Sequence, residues 1–428
     1  MGGLAAGGLT CGLPSNAKGM VGSAAVQQTG PSSTSLESRS PFPEPPISVP
    51  AFTKRIARIR DRMRSEKLDC LLVSSVLNHA VRYFGFFDPE LQGRGSGSPQ
   101  LVSVLLPIEG DSVLFLQSFT AADYMRPRAQ ASSYITDIRL VGGDNQQVLQ
   151  LVADQMRSLK LDSATLGLVG AELDWAERSF FSQSLPRLNL VDANSLINRL
   201  RIVKDAEEIE LMKRSASIGD TAMREVEKHL ADGVTDFQLY ARGQAAMISA
   251  GAEEDTFVLM GIGPNQNTML MELLNGRKLR KGDVVVYEVL PLFRTYNTEL
   301  AVTFSLKPLS IAQKRAADAC QAAYDAGVAE AKPGVTTSKV VEASLKAFRG
   351  KGFDSFTHTP GHFIGLDNYE GPPLRSSDTV LEPGMIFSFH PNIVVPGQVK
   401  EEICGILLVT DKAVENLSQY PPQGIRVI

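Results

Sequence analysis

Two apolar runs, each carrying one glutamate, constrain this chain more than any other feature. VVVYEVL (284–290) contains Glu288, and ELAVTF (299–304) opens on Glu299. Both runs have the β-branched and aromatic content of strands. The linking PLFRTY (291–296) predicts that they pair as an antiparallel hairpin. That pairing sets two carboxylates on neighbouring strands within apolar surroundings. Facing carboxylates repel unless a proton, a cation or a metal lies between them.

The remainder divides into three stretches. Residues 1–50 are rich in Gly, Ala, Ser and Pro and have no sustained apolar period, so they read as a disordered tail. They lack the basic start and continuous apolar stretch of a signal peptide. In residues 51–200, FTKRIARIRDRMRSEKLD places Ile56, Ile59 and Met63 at helical spacing. CLLVSS (70–75), LVSVLLP (101–107), SVLFLQ (112–117) and ATLGLVG (164–170) read as strands. Strands alternating with helical stretches predict an α/β domain. In residues 201–428, Asp205 is an expected helix N-cap, and Ile209, Met212, Ala216, Met223 and Val226 mark one apolar helix face. Further strands are expected in DTFVLMGIG, in the two glutamate-bearing runs, in GMIFSFHPN and in EICGILLVT, with a helix over SIAQKRAADACQAAYDAGVAEA. Helices on a curved, mostly antiparallel sheet suit this stretch.

Composition narrows the partners. The formal net charge is −4, and no run of 18 apolar residues is present. Neither nucleic acid nor membrane is therefore expected, and a small-molecule substrate is. Four scattered cysteines without C-x-x-C fit a reducing, cytoplasmic setting.

Only five histidines occur. His79 and His229 lie in stretches that read as ordinary structure, and His358 stays undecided. His362 is flanked by glycines in PGHFIGLDNYEGPP, which marks a close backbone approach. His390 ends an apolar strand, where an imidazole must be hydrogen-bonded or liganded.

In order, KGDVVVYE, Glu299 eleven residues later, GHFIGLDNYEGPP, LEPGMIFSFHP and EEICGILLVT resemble the motifs of the pita-bread family. That family includes methionine aminopeptidase, prolidase, X-Pro aminopeptidase and creatinase. The resemblance spans about residues 51–428. It implies an α/β N-terminal domain of the creatinase/prolidase kind and an α+β pita-bread (creatinase/aminopeptidase) catalytic domain. It also implies a homodimer, in which a loop such as FFDPELQGRGSGS (86–98) reaches the partner's site, with Arg94 as a substrate-carboxylate ligand.

The family's peptidases hold two metal ions with Asp, Asp, His, Glu and Glu. By position these fall on Glu288, Glu299, His362, His390 and Cys404, so only the His is kept. Two further family histidines fall on Leu270 and Tyr369. Each Asp-to-Glu change moves a carboxylate by about 1.5 Å, while metal distances tolerate about 0.2 Å. A neutral imidazole offers one lone pair, so His390 is not expected to bridge two ions.

The expectation that follows is a metal-independent, creatinase-like hydrolase without cofactor. It would cleave a C–N or similar bond of a small cationic metabolite. Glu288 and Glu299 would hold the cation, His362 and His390 would carry protons, and Tyr369 would donate to a developing oxyanion. Glu402 and Cys404 are expected to line the substrate site, either one standing in for the lost Glu. One alternative is a metal-dependent X-Pro aminopeptidase-like peptidase or lyase with a rearranged mononuclear site, since Glu, His and Cys are competent ligands. The other is a non-catalytic binding domain.

Overall fold

The computed structural model of this chain describes residues 44–75, 80–87, 101–117, 122–170, 175–254, 256–263 and 274–428. Residues 1–43 of the expected tail, His79, Arg94, Leu270 and residues 88–98 of the expected loop lie outside them.

The first helix, Val49–Ser65, begins inside the stretch read as a tail. The Ser48 side chain accepts from the Ala51 amide, and a proline sits in the first turn, where its missing N–H is no loss. These two local signals override the Pro/Ser-rich composition around them. The helix buries Ile59 and Met63, as their spacing predicts, and also Arg55.

A six-stranded mixed sheet follows, in the order Asp137–Val141, Val113–Gln117, Val102–Pro107, Cys70–Ser75, Thr165–Val169, Asn189–Asp192. Cys70–Ser75 pairs antiparallel with Val102–Pro107 and parallel with Thr165–Val169. The four strands expected from apolar runs form the centre. The two outermost strands are only partly buried and carry polar residues, so they have no continuous apolar signature.

Asp205 caps the helix Ala206–Glu227 in a full capping box with Glu208, and Met212, Ala216, Met223 and Val226 are buried along it. Beyond it, one four-stranded sheet runs Arg426–Val427, Leu300–Ser305, Val284–Leu290, Phe257–Ile262. A second runs Gly361–Phe363, Ile386–Phe389, Gly405–Val409, Val414–Asn416. The glutamate-bearing strands pair antiparallel, with Glu288 opposite Ala301. Their connection is itself a small hairpin, Leu292–Phe293 with Tyr296–Asn297, turned by Arg294 and Thr295 at positive φ. Glu299 consequently sits just ahead of its strand. The helices Ile311–Glu330 and Thr337–Gly350 share a core with Phe387 and Phe389 of the second sheet.

Two buried ionic clusters tie the early elements to this half. Arg55 lies 2.9 Å from Glu208, which also accepts from the Tyr296 hydroxyl at 2.8 Å. Arg201 and Lys204 each lie 2.7 Å from a different oxygen of Glu370. Among the described residues, no helix is long and apolar enough to cross a membrane.

Candidate metal and active site

The two four-stranded sheets, together with the two-stranded sheet of Asn392–Val395 and Val399–Glu402, bring polar side chains together at one place. His362 lies in the strand Gly361–Phe363, opposite Ser388. His390 directly follows Ile386–Phe389, with its amide donating to the Pro360 carbonyl at 2.8 Å. Glu402 ends the strand Val399–Glu402, and its amide donates to the Thr303 hydroxyl of the neighbouring sheet at 3.0 Å. Glycine is required at 361, because a Cβ there would run into the Ser388 carbonyl oxygen. Its absence lets the His362 strand lie against the His390 strand.

Glu299 is central. Its Oε2 lies 3.0 Å from His362 Nε2 and its Oε1 3.7 Å from His390 Nε2. On the far side of the same ring, His390 Nδ1 lies 3.5 Å from Glu402 Oε1, which is 3.6 Å from His358 Nε2. None of these four imidazole nitrogens has a hydrogen-bond partner, nor do Glu299 Oε2 and Glu402 Oε2, although all are buried. His362 Nδ1 lies 3.2 Å from the Phe363 carbonyl oxygen. If that nitrogen carries the proton, the Nε2 lone pair is left facing Glu299.

The electrostatics separate the acids. Burial alone would raise the Glu299 carboxyl, but His362 and His390 bring it down to about 2. Burial brings His390 down to about 3 against the pull of Glu299, so it is neutral. Glu299 in turn raises His362 despite burial. Burial also lowers His358. Glu288 is pushed well above the carboxylate range by burial and then by Glu299 and Glu402, and Glu402 is raised by burial and Glu299. Glu288 thus holds its proton while Glu299 is ionised. The pair expected to clamp a cation with two negative charges is one acid and one carboxylate, and the imidazoles face only the latter.

The other expected residues divide. Tyr369 is 64 % exposed and stacks on the buried His362 ring, with centroids 3.8 Å apart. Glu402 joins the cluster. The Cys404 Sγ lies 3.1 Å from Ser388 Oγ and 3.8 Å from Glu299 Oε1, but burial holds the thiol protonated, so it lines the site without being a ready nucleophile. Arg94 lies outside the described residues. His358, left undecided by the sequence, is part of the cluster. Its one signal was the H-x-x-x-H spacing to His362, which carries meaning only after the Pro360–Gly361 corner is folded.

Among the described residues, two triads have ligand-type atoms all within 4.8 Å of one another: Glu299, His362 and His390, and His358, His390 and Glu402. Buried, unpartnered lone pairs converging on a common point fit a transition metal, for which imidazole and carboxylate are suitable ligands. The residues present therefore fit a metal at Glu299, His362 and His390.

The sequence model described as "Metallopeptidase family M24" matches residues 210–425, and that of the "Creatinase/Prolidase N-terminal domain" matches residues 55–203. A Xaa-Pro dipeptidase of Pyrococcus furiosus is 23 % identical over 296 residues, covering 68 % of this chain and 85 % of the relative. A creatinase of a Bacillus species is 24 % identical over 400 residues, covering 88 % and 93 %. The crystal structure of a prolidase from Pyrococcus horikoshii superposes with a TM-score of 0.74 at 19 % identity, covering 86 % of this chain and 99 % of that one. The two-domain pita-bread architecture expected from the motifs is therefore the one present.

The expected metal-independent hydrolase of a cationic metabolite is overturned. The family matched over the catalytic half is one of metallopeptidases, and dipeptidases and prolidases stand among the similar proteins. The physical reason is that the direction in which the fold aims a side chain, and not its type alone, decides whether it can bind metal. Replacing a carboxylate by His390 loses one kind of metal ligand, but the fold turns the imidazole toward Glu299 and His362, where it is again a candidate ligand.

Proposed function

The chain belongs to metallopeptidase family M24, and from that premise we propose that it is a metal-dependent peptidase of the X-Pro aminopeptidase type, acting on small peptides, with its metal at Glu299, His362 and His390. The observation that carries this reading is the convergence of these three buried groups with Oε2 of Glu299 and the Nε2 atoms of both histidines unpartnered. When bound, such a metal polarises a carbonyl and lowers the pKa of water.

The remaining roles fall to the chain itself. The Phe363 carbonyl orients the His362 ring through Nδ1. Tyr369 lies over that ring from the solvent side and restricts access to it. Glu288 holds a proton beside Glu299 and is the acid best placed to give or take one. The homodimer implied by the resemblance is part of the same reading and is checked by size-exclusion chromatography with light scattering.

Hydrolysis of X-Pro dipeptides is measured on protein prepared with manganese, cobalt or zinc. Activity is expected to vanish with chelator and return with metal, and His362→Ala and His390→Ala are expected to lose both metal and activity. Full activity in protein with no bound metal would overturn the reading.

A further inference from the structure

We propose that the chain builds a second metal position from His358, Glu402 and the Nδ1 side of His390, so that His390 is shared between two metals. The inference rests on the metal reading above and adds to it a site away from the Glu288–Glu299 pair, where family resemblance places two of the ligands.

Three observations converge. First, His390 is only 2 % exposed and both its ring nitrogens lack a hydrogen-bond partner. A buried imidazole normally donates one nitrogen to a carbonyl or carboxylate, as His362 can to Phe363. A ring with both sides unpaired is costly unless each side meets something absent from the polypeptide. Second, what faces Nδ1 is a ligand set: Glu402 Oε1 at 3.5 Å and, 3.6 Å beyond that oxygen, His358 Nε2. The Nε2 of His358 and the Oε2 of Glu402 are themselves buried and unpartnered. Third, the set has a way in. The His358 side chain is 21 % exposed while those of Glu402 and His390 are closed off, so an ion can arrive past His358.

Two imidazoles and one carboxylate select a borderline transition metal such as zinc, cobalt or copper over magnesium or calcium. Neutral imidazole has a single lone pair. Filling both positions therefore requires His390 to give up its ring proton to solvent, one proton for the second metal, and to bind as imidazolate.

The test is zinc content per chain after equilibration with zinc and removal of loose metal, read by mass spectrometry on the full-length protein. Wild type is expected to hold two zinc ions, His358→Gln and Glu402→Gln one each, and His390→Gln none tightly. With copper in both positions, imidazolate bridging should reduce the spin-resonance signal below that of two isolated ions. Because the glutamine variants could misfold, the wild-type ratio and copper spectrum stand as independent readouts, and thermal melting checks the variants. One zinc in wild type, kept in His358→Gln and Glu402→Gln but lost in His362→Gln, overturns the second position and leaves the proposed function intact. One zinc lost in His358→Gln but kept in His362→Gln overturns the sharing. No tightly held zinc overturns this inference, while cobalt- or manganese-dependent hydrolysis separately decides the proposed function.

Discussion

His362 Nε2 and Glu299 Oε2 lie 3.0 Å apart, yet neither atom has a hydrogen-bond partner. The two groups approach without the alignment a shared proton needs, as ligands around a common ion do. Glu299 is the residue that the rest of the site surrounds.

Tyr369 tests how His362 is kept in place. Its ring stacks on the imidazole, and such a contact contributes about 0.5–1.5 kcal/mol. Tyr369→Ala is expected to lower kcat/KM by up to about tenfold by that figure. Tyr369→Phe separates ring from hydroxyl: near wild-type kcat assigns the effect to stacking, whereas a loss as large as that of Tyr369→Ala assigns it to the hydroxyl.

The Arg201–Lys204–Glu370 cluster carries a pH prediction. Burial opposes ionisation of Glu370, but Lys204 and Arg201 overcome it and hold the carboxyl below its ordinary 4.5. A carboxyl depressed on folding contributes stability above its unfolded-state pKa, and that contribution is lost as pH falls through the folded-state value. Glu370→Gln is therefore expected to reduce stability at pH 7 and to flatten the loss of stability below about pH 4.5. Glu370→Ala, which takes the paired carboxylate from buried Lys204 and leaves Arg201 with Asp367, is expected to cost about 3–5 kcal/mol in denaturant unfolding.

Arg55 makes a similar connection at the base of the first helix. Removing it leaves the buried Glu208 carboxylate with the Tyr296 hydroxyl and the Asp205 amide as donors but without its cation. Arg55→Met is expected to destabilise by about 3–5 kcal/mol, and the double variant with Glu208→Met should recover part of that loss. If the double variant is as unstable as the sum of the two single ones, the pair is not coupled.

Gly361→Ala probes the backbone contact that sets the histidines. The new methyl group would meet the Ser388 carbonyl oxygen. The forced shift is expected to cost about 1–3 kcal/mol. Metal tolerates ligand displacements of only about 0.2 Å, so bound metal should fall more than stability does. Unchanged metal content in this variant would show that the strand can yield without moving His362.

Much of the architecture was legible in the sequence because it is set locally. The helix from Asp205 follows from its N-cap and apolar face, and the central strands follow from short β-branched runs. The pairing of the two glutamate-bearing strands follows from their proximity along the chain. The order of the motifs pointed to the family. Local signals were weakest at the edge strands Asp137–Val141 and Asn189–Asp192, which are half exposed, and at the helix start by Val49, where composition masked a cap.

The chemistry of the site was decided by tertiary structure. Equal-looking glutamates became an acid and a carboxylate because only Glu299 meets the imidazoles. His390 changed from a lost ligand into a candidate one because the fold aims its two nitrogens at Glu299 and Glu402. His358 acquired meaning only when the corner at Pro360–Gly361 and the strand ending at Glu402 met. Residue type states which atoms can bind a metal, but convergence of lone pairs is a relation between distant segments, and only packing of the two sheets against each other creates it.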